Sequence, residues 1–577
     1  MITPPFSARL RLFCLIASLT GLGASADTRA ASTAPQCTVA ALSSLAVRNM
    51  MIVSATEVPA RPPNPSYCDV RGSVTTSGHG VADGSAGFEI KLPSNWNGKY
   101  LFFGVGGLAG SLNPSVNPSD LAQSLIKGYA TAITDTGHRA FVLDGSWALA
   151  SPGVADKPKV TDYFYRAAHD VTVAAKRLVE AAFDAEIQYS YFDGCSNGGR
   201  MGLMEATRFP DDYDGIIAGA PFLDMRVAIN TAKIMKQLLT PTTYIPAAKL
   251  TAIDRAISAS CDAADGVADG LIQNPANCSF DPDTLVPGTL TQGQADTLRV
   301  YLGAARDRRG RLIYTGFSVS DLTGNFPVNQ GMDFWTTGIV PPIDFTANEP
   351  WGNARPPFIA LNWTIPDNFL KFFVERDPDF DVRDFDVSTD GVVGDRALGL
   401  FDRRTRRGNV DSPSRLLSFI AQNKKVLMYH GFSDPALPPF RTVKYYEDLA
   451  ELTDGYRELQ ENVRLFMAPG MQHCSGGPGP NVFDTLTALE RWVEDGVVPN
   501  AIVASHYVNN DPALGADRTM PLCTFPAQAR YSGAGNVNDA SNWSCSKHDR
   551  RLLQVGPNGI DAGLGKQDRD DDDRRDR

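Results

Sequence analysis

Short apolar runs alternate with helical patterns along the first third of the chain. Residues 99–105 and 129–134 are apolar runs bounded by glycine and turn residues, a pattern typical of buried strands. Residues 163–183 carry apolar positions at helical spacing, and residues 187–192 form another apolar run. Because parallel strands are joined by crossover helices, this alternation predicts a parallel sheet.

The alternation continues, stops and then resumes. Residues 199–208 read as a helix and residues 215–221 as a strand. Between residues 222 and 415 the pattern is lost in a segment rich in proline, glycine and aromatic clusters. Strand patterns return at residues 425–431 and 463–467. The pattern predicts one sheet that is interrupted by an inserted lid domain.

The two ends of the chain are of a different character. Arg9 and Arg11 precede an apolar stretch, and Ala24-Ser25-Ala26 offers a cleavage site, which indicates a secretory signal peptide and a secreted or periplasmic protein. The predicted parts are a signal peptide (1–26), the first part of the core (27–221), a lid domain with a calcium loop (222–415), the second part of the core (416–560) and a disordered acidic and basic tail (561–577).

Charge and hydropathy exclude two classes of partner. The 577 residues include 54 Lys and Arg against 65 Asp and Glu, a net charge of −11, whereas nucleic-acid binding needs clustered cations. After the signal peptide no stretch reaches the ~20 apolar residues of a membrane-spanning helix. We therefore expect a small-molecule substrate, without nucleic acid or membrane as a partner.

A nucleophile motif follows the strand pattern at residues 187–192. Gly194-Cys195-Ser196-Asn197-Gly198 fits G-x-S-x-G, the sharp strand-to-helix turn that exposes the serine of an α/β-hydrolase. This motif predicts an α/β-hydrolase core with Ser196 as the nucleophile.

The acid and the base are predicted from their order in the chain. Asp434 and His473 each follow a predicted strand, and the order Ser, Asp, His is that of α/β-hydrolases. His473 would move the proton of Ser196, and Asp434 would fix the imidazole tautomer. Rival candidates at strand ends are His138 and His430 for the base and Asp135 for the acid.

Acyl transfer also needs N–H donors for the developing oxyanion. One donor is expected from Asn197, the residue after the nucleophile, and one from the glycine pair after the strand at residues 99–105. We favour Gly107, with Gly106 as the alternative.

Eight cysteines remain after Cys14 is removed with the signal peptide. An even number in an exported protein favours disulfides. If Ser196 and His473 meet, their neighbours Cys195 and Cys474 come close enough for a bridge. Proximity in sequence suggests the remaining pairs, which are Cys37 with Cys68, Cys261 with Cys278, and Cys523 with Cys545.

An acidic loop follows Cys261. Asp262, Asp265 and Asp269 place three carboxylates within eight residues, next to glycines that allow sharp turns, which suits a hard cation such as Ca²⁺. The spacing is not that of an EF-hand, and a solvated acidic turn is the alternative. Because the loop lies in the predicted lid, the metal would be structural.

Several of these motifs together match one family. The run Gly-Cys-Ser-Asn-Gly-Gly-Arg at residues 194–200, the cysteines beside Ser196 and His473, and Gly-Phe-Ser-Asp at residues 431–434 resemble the tannase and feruloyl esterase family, which includes mono(2-hydroxyethyl) terephthalate hydrolase-like enzymes. The resemblance covers residues 37–555. It implies a lid inserted after the nucleophile, the triad of Ser196, Asp434 and His473, and esters with an aromatic acyl group. It further implies a structural Ca²⁺ held by Asp262, Asp265, Asp269 and the carbonyls of Val267 and Leu271.

The family divides among gallate esters, hydroxycinnamate esters such as ferulates, and terephthalate monoesters. A terephthalate monoester has a free carboxylate that calls for a lid arginine, and residues 351–373 offer only Arg355. We therefore predict a secreted serine esterase for feruloyl or related phenolic esters, with a tannase or a terephthalate-monoester hydrolase as alternatives. A serine peptidase and a non-catalytic binding protein are further alternatives. Aromatic and aliphatic candidates for the pocket, or for the lid core, are Leu223, Phe334, Trp335 and Phe369.

Overall fold

The computed structural model describes residues 36–278, 280–324, 330–387 and 392–546. The predicted signal peptide and the predicted tail at residues 561–577 lie outside these residues. Across the described ranges no helix is long and apolar enough to cross a membrane.

Strands are concentrated at the two ends of the described chain. They are β1 Met50–Val58, β2 Tyr67–Thr76, β3 Gly84–Pro93, β4 Lys99–Phe103, β5 Ala130–Thr134, β6 Leu149–Ser151, β7 Val154–Ala155, β8 Tyr189–Cys195, β9 Gly215–Gly219, β10 Ala305–Arg306, β11 Leu312–Tyr314, β12 Lys425–Gly431, β13 Val463–Ala468, β14 Ala501–Tyr507, β15 Ala516–Cys523, β16 Gln528–Tyr531 and β17 Trp543–Ser546.

Helices lie between these strands and fill the middle of the chain. They are α1 Val39–Ser43, α2 Pro118–Ile126, α3 Lys157–Thr161, α4 Ala167–Phe183, α5 Asn197–Arg208, α6 Val227–Leu238, α7 Leu250–Cys261, α8 Gln292–Leu302, α9 Leu361–Asn368, α10 Val392–Thr405, α11 Leu417–Ile420, α12 Pro439–Leu452, α13 Tyr456–Leu459 and α14 Thr485–Asp495. The described part of the chain also contains three π-helical segments, at Asp162–Arg166, Asp333–Thr337 and Phe369–Glu375.

One large mixed sheet organises the fold. Its nine strands run in the order β1-β2-β3-β5-β4-β8-β9-β12-β13. In the run β5-β4-β8-β9-β12-β13, every pair of neighbouring strands is parallel. Strand β2 pairs antiparallel with β1 and with β3, and β3 pairs antiparallel with β5. The six strands that were predicted from the sequence are thus parallel as expected, and the three antiparallel strands before them were not predicted.

The difference follows from how each group of strands is buried. Strands β4, β5, β8, β9 and β12 are almost wholly buried, as expected for parallel strands that are covered on both faces. In β2 and β3, buried positions alternate with more exposed ones, which is typical of antiparallel strands with one solvated face. Helix α4 packs on β2, β3 and β5, and α5 packs on β8 and β9.

The break in the sequence pattern corresponds to an interruption of the sheet. Strands β9 and β12 are direct neighbours, with Gly215 opposite Lys425. Residues 220–424 lie between them in the chain and supply helices α6 to α11 and the small pair β10 and β11, but no described strand of the large sheet. The chain therefore leaves the sheet after β9 and returns to the adjacent position.

The described residues contain four disulfides, and all have the pairing predicted from the sequence. They join Cys37 to Cys68, Cys195 to Cys474, Cys261 to Cys278, and Cys523 to Cys545.

Candidate active site

Ser196 occupies the predicted sharp turn. It lies between the end of β8 and the start of α5, with φ of 62° and ψ of −125°. Such a conformation costs a non-glycine residue about 1–3 kcal/mol and persists only where neighbours enforce it. The backbone N–H of Ser196 donates to the carbonyl of Gly219, and the N–H of Phe222 donates to the carbonyl of Ser196. These hydrogen bonds fasten both ends of the turn to the chain that leaves β9.

The glycines of the motif are required by close backbone contacts. A Cβ on Gly194 would lie 2.4 Å from the carbonyl carbon of Gly198. A Cβ on Gly104, at the end of β4, would lie 2.5 Å from the Cα of Gly198. Side chains at these positions would push the start of α5 away from β4 and β8 and displace Ser196.

Asp434 and His473 form a hydrogen-bonded pair at the ends of β12 and β13. The His473 Nδ1 atom lies 2.8 Å from Asp434 Oδ2. Asp434 is fully buried, and its Oδ1 accepts the backbone N–H groups of Ala436 and Leu437 at 2.8 and 2.9 Å. Burial acts to raise the pKa of Asp434, but the attraction of His473 and the hydrogen bonds from His430 and His473 outweigh it, so the pKa is lowered. Asp434 is therefore an ionised partner for the imidazole.

Ser196 and His473 line the same cavity, which has a volume of about 470 Å³. Their neighbours Cys195 and Cys474 are joined by the disulfide, with Cα atoms 5.9 Å apart. The structure therefore brings the predicted nucleophile and base to one site, and Asp434 lies behind His473.

The predicted oxyanion donors border this cavity. Asn197, Gly106 and Gly107 all line it. Asn197 opens α5, and the N–H groups of a first helical turn have no partner within the helix. Gly107 has φ of 56°, and a Cβ there would lie 2.4 Å from the carbonyl oxygen of Val142. The assignment of Asn197 and Gly107 as donors remains a prediction.

Arg200 ends the run Gly-Cys-Ser-Asn-Gly-Gly-Arg at residues 194–200, and the sequence analysis assigned it no role. Its guanidinium is fully buried and donates to Asn197 Oδ1 and to the carbonyls of Tyr163, Phe164 and Gly408, at 2.8–3.1 Å. Two of these carbonyls belong to the π-helical segment Asp162–Arg166, a kind of widened turn that is frequent at functional sites. Arg200 thus ties the start of α5 to two other parts of the chain.

The rival residues have other partners. His138 Nε2 contacts the carbonyl of Leu108, and the ring stacks on Trp147 at 3.6 Å. Asp135 accepts the N–H groups of Gly87 and Gly137. Neither His138 nor Asp135 lines the cavity. His430, in contrast, contacts Asp434.

The cavity is mainly apolar. Among the described residues that line it there is no Asp, Glu, Lys or Arg. Of the four residues offered for the pocket or the lid core, Phe334, Trp335 and Phe369 line the cavity, whereas Leu223 is buried elsewhere. The ring of Trp335 lies edge-on to His473, with centroids 5.1 Å apart. Sequence patterns did not indicate several further lining residues, namely Leu108, Phe141, Val142, Leu143, Phe222, Pro356, Pro357, Leu361, Ile365 and Leu437.

Arg355 does not reach the cavity. Its side chain is exposed and donates from Nη1 to the carbonyls of Gly352 and Ala354. No charge from Arg355 is therefore available to a bound acyl group.

The acidic loop carries unsatisfied carboxylate oxygens. Backbone N–H groups of Asp269 and Gly270 donate to Asp262. In contrast, Asp265 Oδ2 and Asp269 Oδ2 are buried without a hydrogen-bond partner in the described structure, and the nearest cation of Asp269 is Arg518, with Nη1 at 3.6 Å. Buried carboxylate oxygens without donors fit a bound cation.

Comparison with known proteins identifies the family. A model described as "Tannase and feruloyl esterase" matches residues 68–546. The chain belongs to this family. An uncharacterized esterase of Xanthomonas campestris is 34% identical, over 92% of this chain and 94% of its own length. Mono(2-hydroxyethyl) terephthalate hydrolase of Piscinibacter sakaiensis is 31% identical, over 84% and 85%.

A solved structure agrees with this assignment. Feruloyl esterase B from Aspergillus oryzae has a TM-score of 0.70 and 25% identity, covering 87% of this chain and 97% of that one. Together these relatives make the chain a carboxylic-ester hydrolase.

Replacing Cys195 and Cys474 together by alanine is expected to lower both the melting temperature and the turnover of an ester. The bridge spans 279 positions in sequence, for which chain entropy gives an upper estimate of roughly 5 to 6 kcal/mol. Turnover should fall because the bridge holds the Ser196 turn next to the His473 loop. Thermal unfolding and initial rates measure the two effects.

The matched control is Cys523→Ala with Cys545→Ala, which removes the bridge between β15 and β17. The melting temperature of this variant should be lower than that of the wild type, whereas the turnover of the folded variant should be unchanged. Equal losses of turnover in the two double variants, or a free thiol at Cys195 in unreduced peptide maps, would contradict the link between the bridge and the site.

Proposed function

We propose that this carboxylic-ester hydrolase cleaves esters of uncharged aromatic acids, with feruloyl and related phenolic esters as the preferred class, through a serine acyl-enzyme. The observation that carries the proposal is the His473–Asp434 hydrogen bond of 2.8 Å beside an apolar cavity that also holds Ser196.

The proposed mechanism uses the Asp434 contact to set the tautomer of His473. Because Nδ1 donates to Asp434, Nε2 is left to accept the proton of the Ser196 hydroxyl as its oxygen attacks the ester carbonyl. The N–H groups of Asn197 and Gly107 would stabilise the oxyanion. His473 then passes the proton to the leaving alcohol, and water enters by the same route to release the acid.

The substrate class follows from the lining of the cavity. A terephthalate monoester would bury its free carboxylate without a cation, which is costly. A gallate has three hydroxyl groups that need partners, and apart from Ser196, Asn197 and His473 the described lining offers polar side chains only at Ser115, Thr231, Gln330 and Asn362. Three of these four, Ser115, Thr231 and Asn362, already donate to protein oxygens. A ferulate has one phenolic hydroxyl and a larger apolar surface, which suits this cavity better.

The second candidate substrate is a terephthalate monoester. The 31% identity to a hydrolase named for such a substrate favours it. The ester comparison below separates the two candidates.

For the domain organisation we propose an α/β-hydrolase core at residues 27–221 and 416–560 with a lid domain at residues 222–415. Two observations support this division. Strands β9 and β12 are adjacent although residues 220–424 separate them, and that segment supplies Phe334, Trp335 and Phe369 to the cavity. A segment inserted between neighbouring strands and placed over the nucleophile suits a lid.

We also propose a structural Ca²⁺ in the acidic loop, held by Asp262, Asp265, Asp269 and the carbonyls of Val267 and Leu271. The buried oxygens of Asp265 and Asp269 support it. When bound, the ion would neutralise these carboxylates and stiffen the loop. The side chain of Leu271 packs against Gly470, three residues before His473, so a stiff loop would also support the His473 loop.

We also propose that the protein is exported, either secreted or periplasmic. The four disulfides support it, because disulfides persist in oxidising compartments.

Ser196→Ala and His473→Ala are each expected to lower kcat by about 10⁴-fold or more without unfolding the protein, and Asp434→Asn should also be severe because the imidazole loses its orientation. Hydrolysis of a chromogenic phenyl ester and the melting temperature measure the two properties. Asp135→Asn is the control, since it alters a buried carboxylate outside the cavity and should cost stability rather than chemistry. Near wild-type turnover by Ser196→Ala would refute the mechanism.

An ester panel should rank methyl ferulate above methyl gallate and mono(2-hydroxyethyl) terephthalate in kcat/KM. The uncompensated carboxylate should cost the terephthalate ester at least about tenfold. Arg355→Ala should leave all three rates unchanged, because the side chain lies outside the cavity. A preference for the terephthalate ester that Arg355→Ala abolishes would reverse the assignment. Cleavage of a matched ferulic amide at a comparable rate would indicate a peptidase.

Chelation with EDTA, or Asp265→Ala, should lower the melting temperature, and added Ca²⁺ should restore it in the wild type only. An ion that binds only the folded state at about 100 times its Kd contributes about 2.7 kcal/mol. Asp448→Ala, at a partly exposed pair with Lys444, is the control, and because its acidic loop is intact it should respond to EDTA and to Ca²⁺ as the wild type does. Dialysed protein without calcium, together with no thermal shift on adding it, would mean that the acidic turn is merely solvated.

A further inference from the structure

His430 makes a second imidazole contact with Asp434. It lies on β12, four residues before Asp434, and its side chain is 1% exposed. Its Nε2 atom lies 3.0 Å from Asp434 Oδ2 and 3.2 Å from the carbonyl oxygen of Leu437. Its Nδ1 atom lies 2.8 Å from Thr442 Oγ1.

These partners place a hydrogen on Nε2. This atom faces two oxygens, of Asp434 and Leu437, that can only accept, so it must carry a hydrogen. Nδ1 faces the Thr442 hydroxyl, which can donate or accept. His430 is therefore a donor to Asp434 through Nε2.

Asp434 Oδ2 thus receives two imidazole N–H groups, from His430 and His473, while Oδ1 receives two backbone N–H groups. All four are donors to a single carboxylate, which fixes its plane and distributes its charge. Only one of the two imidazoles, His473, reaches the cavity.

We propose that His430 is a positioning residue of the catalytic site, which holds the Asp434 carboxylate in the plane that His473 needs and takes up part of its charge. The inference rests on the triad proposed above. His430 touches neither the substrate cavity nor Ser196, and it acts through Asp434.

Loss of the His430 donor frees the Asp434 carboxylate to rotate away from His473, which should lower kcat. Because His430 does not line the cavity, KM should stay unchanged.

Other ionisable groups near Asp434 must be separated from this effect. Tyr301 and Tyr314 interact with Asp434, and burial raises the pKa of both, so they stay neutral. Arg441 packs on Tyr314 and pairs with Asp224. Asp321 contacts Ser433, next to Asp434, and burial raises its pKa to about 7. Asp321→Asn is therefore measured alongside.

The test compares His430→Phe with His430→Gln. Phenylalanine fills the space without a donor, whereas the glutamine amide can donate to Asp434. His430→Phe should lower kcat roughly 10- to 100-fold, as loss of a partner that orients a functional side chain does in metal sites. KM should stay constant. His430→Gln should recover most of kcat.

The control is His169→Gln, which removes a half-buried histidine paired with Asp212 outside the cavity. It should change neither kcat nor KM. Wild-type kcat in folded His430→Phe would overturn the inference, as would an equal loss in His430→Gln. If His430→Phe fails to fold, ¹⁵N NMR of the wild-type histidines decides. A hydrogen on His430 Nε2, bonded to Asp434, is expected, and a His430 ring without a hydrogen on Nε2 would overturn the inference.

Failure of the triad itself gives a different result. In that case Ser196→Ala would remain active. An inactive Ser196→Ala combined with an unaffected His430→Phe would overturn only the role of His430.

Discussion

The disulfide between Cys195 and Cys474 is the constraint on which the site depends. Ser196 and His473 lie on different loops, one after β8 and one after β13, and two other strands of the sheet separate these loops. The bridge joins the residues directly beside them, so the distance between Ser196 and His473 is limited by covalent geometry. Packing then needs to set only orientation, which Asp434 supplies for the imidazole and the strained turn supplies for the hydroxyl.

The segment at residues 220–424, between β9 and β12, lines part of the cavity and also contacts the His473 loop. Its π-helical segments bring Phe334, Trp335 and Phe369 to the cavity, so this segment supplies part of the lining that a bound acyl group would contact. Its acidic loop contacts the His473 loop through Leu271 and Gly470. A change in this segment can therefore alter the substrate through the lining, or the chemistry through the support of His473, and these two effects are separable by KM and kcat.

Local patterns predicted those features that depend on short stretches of chain. The strand at residues 425–431 agrees with β12 in both limits, and the nucleophile turn and the disulfide pairings also agree. Features that depend on contacts between distant segments were missed. The hydrogen bonds of Arg200 need carbonyls that a π-helical segment and Gly408 present, and Phe141 reaches the cavity from an irregular loop. His430 was read only as a rival base, because its partner Thr442 is recognisable only after α12 folds against β12.

The central claim is that Ser196 is the nucleophile of a site fastened by the disulfide. Its most direct test is covalent labelling with an aryl phosphonate ester, followed by peptide mapping without reduction. The account predicts a single adduct on Ser196, in a peptide that is linked through Cys195 to the Cys474 peptide. An adduct on another serine, or labelling that fails although the ester is hydrolysed, would contradict it.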